Sequence, residues 1–286
     1  MPNEFAPLPL EAWRATRDTL AGYSRLVGRI RQHHTPPQKH WWHASLRLST
    51  LGLTTTPLED ERGRPFELTL DLTEHQLTVT RGDGVSQAVP LSGQSVRTFK
   101  QELLAAMRSL DIRTGYHDEA HAFEDEAPGT YDEQAVAVFW ETLRRIFFTL
   151  RAFRSSLREE TGAVQFWPHH FDLAVLWFSG RKVPGQDPDN PAYADEQMNF
   201  GFSTGDDGIP EPYFYATAYP TPEGWTASAL PAGAYWHSEG WTGAVLPYAH
   251  LVEAENGRAL LLDFLKATQE AGANKMQTNG TRTSAE

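Results

Sequence analysis

The chain has 286 residues, 40% of them hydrophobic, which is enough for one large domain or two domains of ordinary size. Its 37 acidic and 25 basic residues give a formal net charge of -12, which repels phosphate backbones and anionic lipid headgroups, so we expect neither nucleic acid nor membrane partners. Cysteine is absent, so disulfides and cysteine-ligated metal centres are excluded, and a metal would need histidine and carboxylate ligands.

The first third of the sequence predicts a half with one antiparallel sheet between two helices. Apolar residues recur at helical spacing from Leu10 to about Arg31, and the proline pair that begins at Pro36 ends the helix. The expected strands cover residues 43–55, 66–73, 77–79 and 87–91, and the second and third form a hairpin. A helix capped by Ser95 completes this half, which we place at residues 1–116.

The segment HDEAHAFEDEAPG, residues 117–129, is polar, acidic and interrupted by proline and glycine. We interpret residues 117–131 as a solvated acidic linker between two halves. The alternative is that its carboxylates bind a cation.

The order of elements repeats after the linker. Asp132 is expected to cap a long helix that extends to about Phe153. The strands predicted next cover residues 171–179, 198–203, 212–219, 234–237 and 241–246, and the second and third of them form a hairpin. A last helix is expected from Ala259 to Gln269. We place this half at residues 132–272 and expect residues 273–286 to form a disordered tail.

The sequence therefore predicts an α+β protein with two similar halves, each an antiparallel sheet flanked by helices, and indicates an internal duplication. KHWWHASL at residues 39–46 and FWPHHFDLA at residues 166–174 fall at corresponding points of the two halves. Aligning them pairs His43 with His170 and Ser45 with Asp172. Two such segments related by approximate two-fold symmetry could face one shared cleft between the halves.

Several motifs resemble those of a bacterial family catalogued as domain of unknown function 5996. They are HWWH at residues 40–43, GLTTTPL at 52–58, HFDLAV at 170–175, FSGR at 178–181 and FYATAYPTPEG at 214–224. The resemblance covers nearly the whole chain, from the helix of Trp13 to the helix that contains LLLDFL, and the family has no assigned reaction. It directs interest to the positions that match its motifs, which are His40, Trp41, Trp42, His43, His170, Asp172 and Arg181.

One hypothesis for the chemistry is a divalent transition metal, such as zinc, iron or manganese, bound by His43, His170 and Asp172. Imidazole and carboxylate ligands suit these ions, and three protein ligands leave a position open for water or substrate. His170 and Asp172 are two residues apart on one predicted strand, so their side chains project from the same face. The helical HExxH spacing is absent, so no established metal motif supports this hypothesis.

The same residues also permit catalysis without a metal, or binding without catalysis. His170 could be a general acid or base that Asp172 orients, with Arg181 holding an anionic group of the substrate. Aromatic side chains near strand ends could instead line a pocket, and the ligand-binding candidates are Trp41, Trp42, His43, Trp167, Arg181 and Tyr219. In the last alternative the protein has no active site, its Trp and His side chains complete the core, and Asp172 and Arg181 form a structural ion pair.

Among these alternatives we favour a small-molecule-binding protein, with or without catalysis, whose ligand lies in a cleft lined by His, Trp and Asp side chains. No apolar stretch approaches the roughly 18 residues of a membrane-spanning helix, and no secretory signal precedes the first predicted helix. We therefore expect a cytoplasmic protein.

Overall fold

In the computed structural model, which describes residues 5–118 and 121–282, the chain divides into two compact units. The N-terminal unit contains residues 11–141 and 165–171, and the C-terminal unit contains residues 5–10, 142–164 and 172–282. Each unit combines antiparallel strands with helices, so the predicted α+β class is confirmed. The units are discontinuous in sequence and their boundaries differ from those of the two predicted halves, while the internal duplication stays a prediction.

The N-terminal unit is built on a six-stranded antiparallel sheet. Its elements are α1 (Leu10–His34), a 3₁₀ helix (Lys39–Ala44), β1 (Arg47–Leu48), β2 (Gly52–Thr54), β3 (Leu58–Glu59), β4 (Pro65–Asp71), β5 (Gln76–Arg81), β6 (Ser86–Pro90), α2 (Val96–Ser109), the first part of α3 (Glu133–Ser156) and β7 (Gln165–Trp167). The strand order is β1-β2-β4-β5-β6, and β3 also pairs with β4. The predicted hairpin is present as β4 and β5, and the Ser95 hydroxyl accepts a hydrogen bond from the Thr98 N–H at 3.1 Å, as expected of a helix cap.

The single strand predicted over residues 43–55 was wrong. This segment contains the end of the 3₁₀ helix and the two short strands β1 and β2, which are antiparallel to each other. A tight turn separates them, in which the Ser49 hydroxyl accepts hydrogen bonds from the N–H groups of Leu51 and Gly52 at 3.2 and 3.1 Å. The polar–apolar alternation continues through both strands, so periodicity alone did not reveal the reversal of the chain.

Two acids of the segment after α2 are attached to that helix, while most of the segment's described residues are exposed. Asp118 and Glu124 both bind the ammonium group of Lys100, which lies 3.2 Å from the Asp118 carboxylate. The Asp118 carboxylate also accepts hydrogen bonds from the N–H groups of Ala122 and Phe123 at 3.1 and 3.0 Å. The cation that these acids bind is therefore a lysine of the same unit.

Asp60, which follows β3, organises the turn into β4. Its side chain is buried and accepts hydrogen bonds from the N–H groups of Arg62 and Arg64 at 2.9 and 3.0 Å, and from the Arg64 guanidinium at 2.8 Å. Burial raises the pKa of the Asp60 carboxyl, but the hydrogen bonds from Arg64, Arg62 and Arg113 lower it more, so the pKa lies below its ordinary value. The folded unit therefore favours the ionised carboxylate.

This environment predicts a specific acid sensitivity. Because the pKa of Asp60 is lowered by folding, its stabilising effect is present above the unfolded pKa of about 3.9 and is lost as the pH falls below that value. We expect Asp60→Asn to reduce the free energy of unfolding by about 2 kcal/mol at pH 7, since hydrogen bonds to a charged group are lost. Urea denaturation of both proteins at pH 7, 4 and 3 measures the effect. The variant should lose less stability than the native protein on acidification, and an identical loss would contradict the prediction.

The C-terminal unit packs helices against an antiparallel sheet with strand order β11-β12-β10-β9-β8. Besides the second part of α3, its elements are β8 (Asp172–Lys182), β9 (Asp195–Ser203), β10 (Tyr213–Tyr219), a 3₁₀ helix (Trp225–Ala227), β11 (Tyr235–His237), β12 (Gly243–Pro247), α4 (Tyr248–Glu253) and α5 (Gly257–Arg282). The predicted hairpin is present as β9 and β10, whereas α4 was not predicted.

The last helix is longer than the sequence analysis expected. It begins with the predicted cap, in which the Asn256 side chain accepts a hydrogen bond from the Ala259 N–H at 2.9 Å. It then continues to Arg282, beyond the expected end at Gln269, so residues 273–282 are helical and not a disordered tail. Residues 283–286 of that predicted tail lie outside the described residues. None of the helices in the described part of the chain is long and apolar enough to cross a membrane.

The two faces of the C-terminal sheet differ in chemistry. Phe200 and Phe202 of β9 and Phe214 of β10 are fully buried on one face, where the Phe153 ring of α3 lies 5.0 Å from that of Phe200. Side chains alternate along a strand, so the residues between these phenylalanines lie on the other face. On that face are Asn199, Gly201 and Ser203 of β9 and Tyr213 and Tyr215 of β10.

Candidate functional site

The predicted site residues fall into two groups, one in each unit. Those in the N-terminal unit are Trp41, Trp42, His43, Trp167 and His170, whereas Asp172, Arg181 and Tyr219 are in the C-terminal unit. The boundary between the units falls between Phe171 and Asp172. Each group is therefore described within its own unit.

The two histidine segments of the N-terminal unit lie side by side. Leu46 and Phe166 form an isolated antiparallel bridge, with N–H to oxygen distances of 2.7 and 3.0 Å. Beside this bridge, the Ser45 hydroxyl donates a hydrogen bond to the side-chain oxygen of Gln165. HWWH and WPHH, which are far apart in sequence, are thus joined through the residues next to them.

The HWWH segment has an unusual backbone. His40 and Trp41 have φ angles of 53° and 59°, in the left-handed region that residues other than glycine rarely adopt. Trp41 is 55% exposed, and its ring stacks on that of His43 with a centroid distance of 5.6 Å. His43 is buried, its Nδ1 accepts a hydrogen bond from the Gln38 N–H at 3.1 Å, and burial lowers its pKa. The His43 ring is therefore neutral at pH 7, with its proton on Nε2.

The WPHH segment holds two adjacent imidazoles. The rings of His169 and His170 are 4.2 Å apart, and the backbone N–H of His170 donates a hydrogen bond to the Trp167 carbonyl at 3.2 Å. Burial of the ring lowers the pKa of His169 to about 4, with further contributions from His170 and Arg29, although part of the side chain remains in contact with solvent. His169 is therefore uncharged at neutral pH.

The metal hypothesis gains no support from these contacts. Within residues 5–118 and 121–282, no group of three or more His, Asp or Glu side chains is arranged to hold a metal ion. His43 uses Nδ1 to accept the hydrogen bond from Gln38. The predicted ligand set of His43, His170 and Asp172 stays a sequence-based prediction.

Two of the predicted ligand-binding residues in the C-terminal unit have structural partners. Arg181 donates from Nε and Nη2 to Glu196 at 3.1 and 2.9 Å, so the carboxylate that pairs with Arg181 is Glu196 and not Asp172. The Tyr219 hydroxyl accepts a hydrogen bond from Gln186 at 2.9 Å, and its ring lies 5.2 Å from that of Tyr193. Arg181 therefore joins β8 to β9, and Tyr219 attaches the loop that precedes β9.

Asp172, the first residue of β8, has a partner that the sequence did not indicate. It is buried and accepts a hydrogen bond from the Tyr215 hydroxyl. Tyr215 lies on β10, and its side chain crosses β9 at Gly201, where an added Cβ would be 2.4 Å from the tyrosine Cζ and Oη atoms. Sequence reasoning identified Asp172 from the HHFD motif but missed Tyr215, whose only signal was the polar–apolar alternation of FYATAY.

The surroundings of Tyr215 keep its hydroxyl protonated. Burial raises the pKa of Tyr215 well above its ordinary value, and the negative charge of Asp172 and the hydrogen bond to it raise the pKa further. A hydrogen bond from Asn199 opposes this rise without reversing it. At neutral pH the hydroxyl is therefore a donor to Asp172 and an acceptor from Asn199.

Two further polar groups of β9 are buried. The side-chain oxygens of Gln197 and Asn199 have no hydrogen-bond donor among the residues that the structure describes. Gln197 Nε2 donates to the Ala192 carbonyl at 3.3 Å, which fixes which end of this amide is the oxygen. With the Asp172 carboxylate, these groups make one face of β8 and β9, the face opposite Phe200 and Phe202, rich in acceptors.

Aromatic rings lie beside these acceptors. The Trp241 ring lies 6.4 Å from the Tyr213 and Tyr215 rings, which are 6.3 Å from each other, and 4.5 Å from the His237 ring. We call the group of Asp172, Asn199, Tyr215 and Trp241 the Tyr215 site. All of its members are in the C-terminal unit.

The model of a family of unknown function, DUF5996, matches residues 5–284 of the chain. The chain belongs to this family. The resemblance inferred from the HWWH, HFDLAV and FYATAYPTPEG motifs is thereby confirmed. No curated protein and no solved structure gives a significant match, so what this DUF5996 protein does has to be argued from its own residues.

The contact between Gly201 and Tyr215 yields a prediction. We expect Gly201→Ala to displace the Tyr215 ring and to lower the free energy of unfolding by about 1–3 kcal/mol, because a methyl group is forced into occupied space. Tyr215→Ala removes the ring that this methyl group meets, so the combined loss should be smaller than the sum of the two single losses. A double-mutant cycle in urea measures the coupling. Gly208→Ala is the control, since its Cβ would meet Asp206 Oδ1 at 3.3 Å, and strict additivity would contradict the prediction.

Proposed function

We propose that this protein binds a small organic molecule that carries an ammonium or guanidinium group, and that the Tyr215 site holds it. The supporting observation is the buried side-chain oxygen of Asn199, next to the Tyr215 hydroxyl, which lacks a donor among the described residues. Buried polar groups without a partner are costly, and a ligand that brings several N–H groups would remove this cost. An ammonium group offers three donors and a guanidinium group offers five.

Charge favours the same class of ligand. An ionised Asp172 carboxylate would supply a negative charge to such a ligand, and Arg181, nine residues further along β8, is paired with Glu196. The net charge of -12 attracts cations from solution. The proposed ligand is therefore positively charged rather than neutral.

The aromatic rings of the site add to this preference. Cations are attracted to the faces of Trp and Tyr rings within about 6 Å of the ring centre. Trp241 and Tyr215 lie next to each other on the acceptor-rich face, so they provide such rings together with apolar contact for the rest of the ligand. This combination of rings and acceptors is typical of sites that hold small organic cations.

The proposed ligand is a small molecule, as expected from the sequence, and its proposed site lies within the C-terminal unit. The proposal concerns binding, because the protonated Tyr215 hydroxyl acts as a donor and not as a base. The catalytic pair His170 and Asp172, the metal-dependent alternative and a cytoplasmic location stay sequence-based predictions.

Calorimetric titration of the full chain with benzylammonium tests the proposal, and benzyl alcohol serves as the neutral control ligand. We expect saturable binding of benzylammonium only. Asp172→Asn should weaken binding at least tenfold, because a charge-assisted hydrogen bond contributes about 1.5–3 kcal/mol. Asn199→Asp adds a negative charge with the same side-chain length and should strengthen binding.

The control variant is Tyr248→Phe, which removes a hydroxyl that bonds the Ala6 carbonyl at 2.7 Å outside the site, and it should bind like the native protein. The gain expected for Asn199→Asp distinguishes a lost contact from a damaged fold. Equal affinity of the native and Asp172→Asn proteins, or no saturable binding of benzylammonium, would refute the proposal.

A further inference from the structure

The N-terminal unit contains a cavity of about 360 Å³ that none of the features above uses. α1 contributes Arg29, Gln32 and His33 to its wall, which share one helix face because residues three and four apart are neighbours. The segment that follows α2 contributes the opposite wall, including Tyr116, His117 and Phe123. Its volume is at the lower end of the roughly 300–1,000 Å³ that is usual for ligand pockets.

Hydrogen-bond donors predominate in this wall. The Arg29 guanidinium donates to the Gln32 side chain at 3.0 Å and pairs with no carboxylate in the described part of the chain. Burial raises the pKa of Tyr116 to about 12, and the charge of Asp118 also raises it, so the hydroxyl remains a donor at neutral pH. The rings of His33 and His117 add further N–H groups.

The carboxylate in the wall, Asp118, has hydrogen-bond donors of its own, and it shares the Lys100 ammonium group with Glu124. Its oxygens accept hydrogen bonds from Lys100 at 3.2 Å and from the N–H groups of Ala122 and Phe123 at 3.1 and 3.0 Å. Arg29 itself forms no ion pair with Asp118, whose oxygens are bonded by these donors.

The wall opposite α1 is held in place at both ends. At one end, the His34 ring bonds the Thr114 hydroxyl at 2.8 Å through Nε2 and the Glu59 carbonyl at 2.8 Å through Nδ1. At the other end, the contact between Lys100 and Asp118 attaches the segment to α2. These contacts fix the described residues on either side of residues 119–120, and a wall positioned in advance lowers the entropy lost on binding.

We infer that this cavity binds a small organic anion through its carboxylate or phosphate group. A guanidinium group binds either of these groups with two parallel hydrogen bonds, and Arg29 is the cation available for this contact. Gln32 and Tyr116 supply further donors, while the buried Phe123 ring offers an apolar surface for the organic part of the ligand. The inference does not depend on the Tyr215 site, which is in the other unit.

Calorimetric titration of the full chain with inorganic phosphate and with benzoate, at low ionic strength, tests this inference. We expect saturable binding of at least one of these anions. Arg29→Gln should lower the affinity for that anion at least tenfold. Arg25→Gln is the matched control, because Arg25 is an exposed arginine one helical turn earlier that does not line the cavity. Tighter binding of phosphate than of benzoate would assign a phosphate group to the ligand, and the reverse order would assign a carboxylate.

Tyr116→Phe provides a second test that leaves the net charge unchanged, and we expect it to weaken binding several-fold. No saturable binding of either anion would overturn the inference, and so would equal losses in the two arginine variants. Benzylammonium binding should be the same in Arg29→Gln as in the native protein, so failure of this inference and failure of the proposed function are distinguishable.

Discussion

The site in the C-terminal unit depends on the space that Gly201 leaves by having no side chain. Tyr215 lies opposite Gly201 in the register of β9 and β10, and its ring passes over this position to reach Asp172 on the next strand. A shift of one residue would place Phe200 or Phe202 opposite Tyr215, and a side chain of that size would block the path of the ring. The same register sets the position of Asn199, which bonds the Tyr215 hydroxyl. Strand pairing and polar contacts are thus two results of one constraint.

The two units satisfy their buried charges in different ways. In the N-terminal unit, Asp60 and Asp118 are surrounded by donors from the same unit, so these carboxylates contribute to the fold. In the C-terminal unit, the buried Asp172 carboxylate accepts a hydrogen bond from a neutral hydroxyl, while the nearby amide oxygen of Asn199 lacks a donor among the described residues. Asp60 and Asp172 are both buried, but they differ in their hydrogen-bond donors. Asp60 stabilises a turn through several donors, whereas Asp172 has a neutral hydroxyl as donor and is suited to bind a ligand.

The sequence predicted those features that depend on residues close together in the chain. The caps Ser95, Asp132 and Asn256 are present because a cap and the N–H that it bonds are separated by only two or three residues. The hairpins β4–β5 and β9–β10 follow from alternating runs with turn residues between them. Contacts set by strand register were not accessible in this way. Asp172 was therefore identified without Tyr215, and Arg181 was assigned to Asp172 when its partner is Glu196.

Some local features were missed for a different reason. The left-handed conformations of His40 and Trp41 have no sequence signal, because the preference of these residue types is for other backbone conformations. HWWH therefore looked like the mouth of a strand, and the short strands β3 and β7 were too brief to give a periodic pattern.

Because the C-terminal unit is discontinuous in sequence, its parts leave the ribosome at different times during synthesis. The Tyr248 hydroxyl bonds the Ala6 carbonyl at 2.7 Å, and the Leu10 N–H bonds Glu211, so the earliest residues of the C-terminal unit have partners more than 200 positions later. A ribosome releases these first residues long before it releases the partners. They lack these partners until Glu211 and Tyr248 are also released, and no continuous fragment of the chain contains the whole C-terminal unit without also containing residues 11–141.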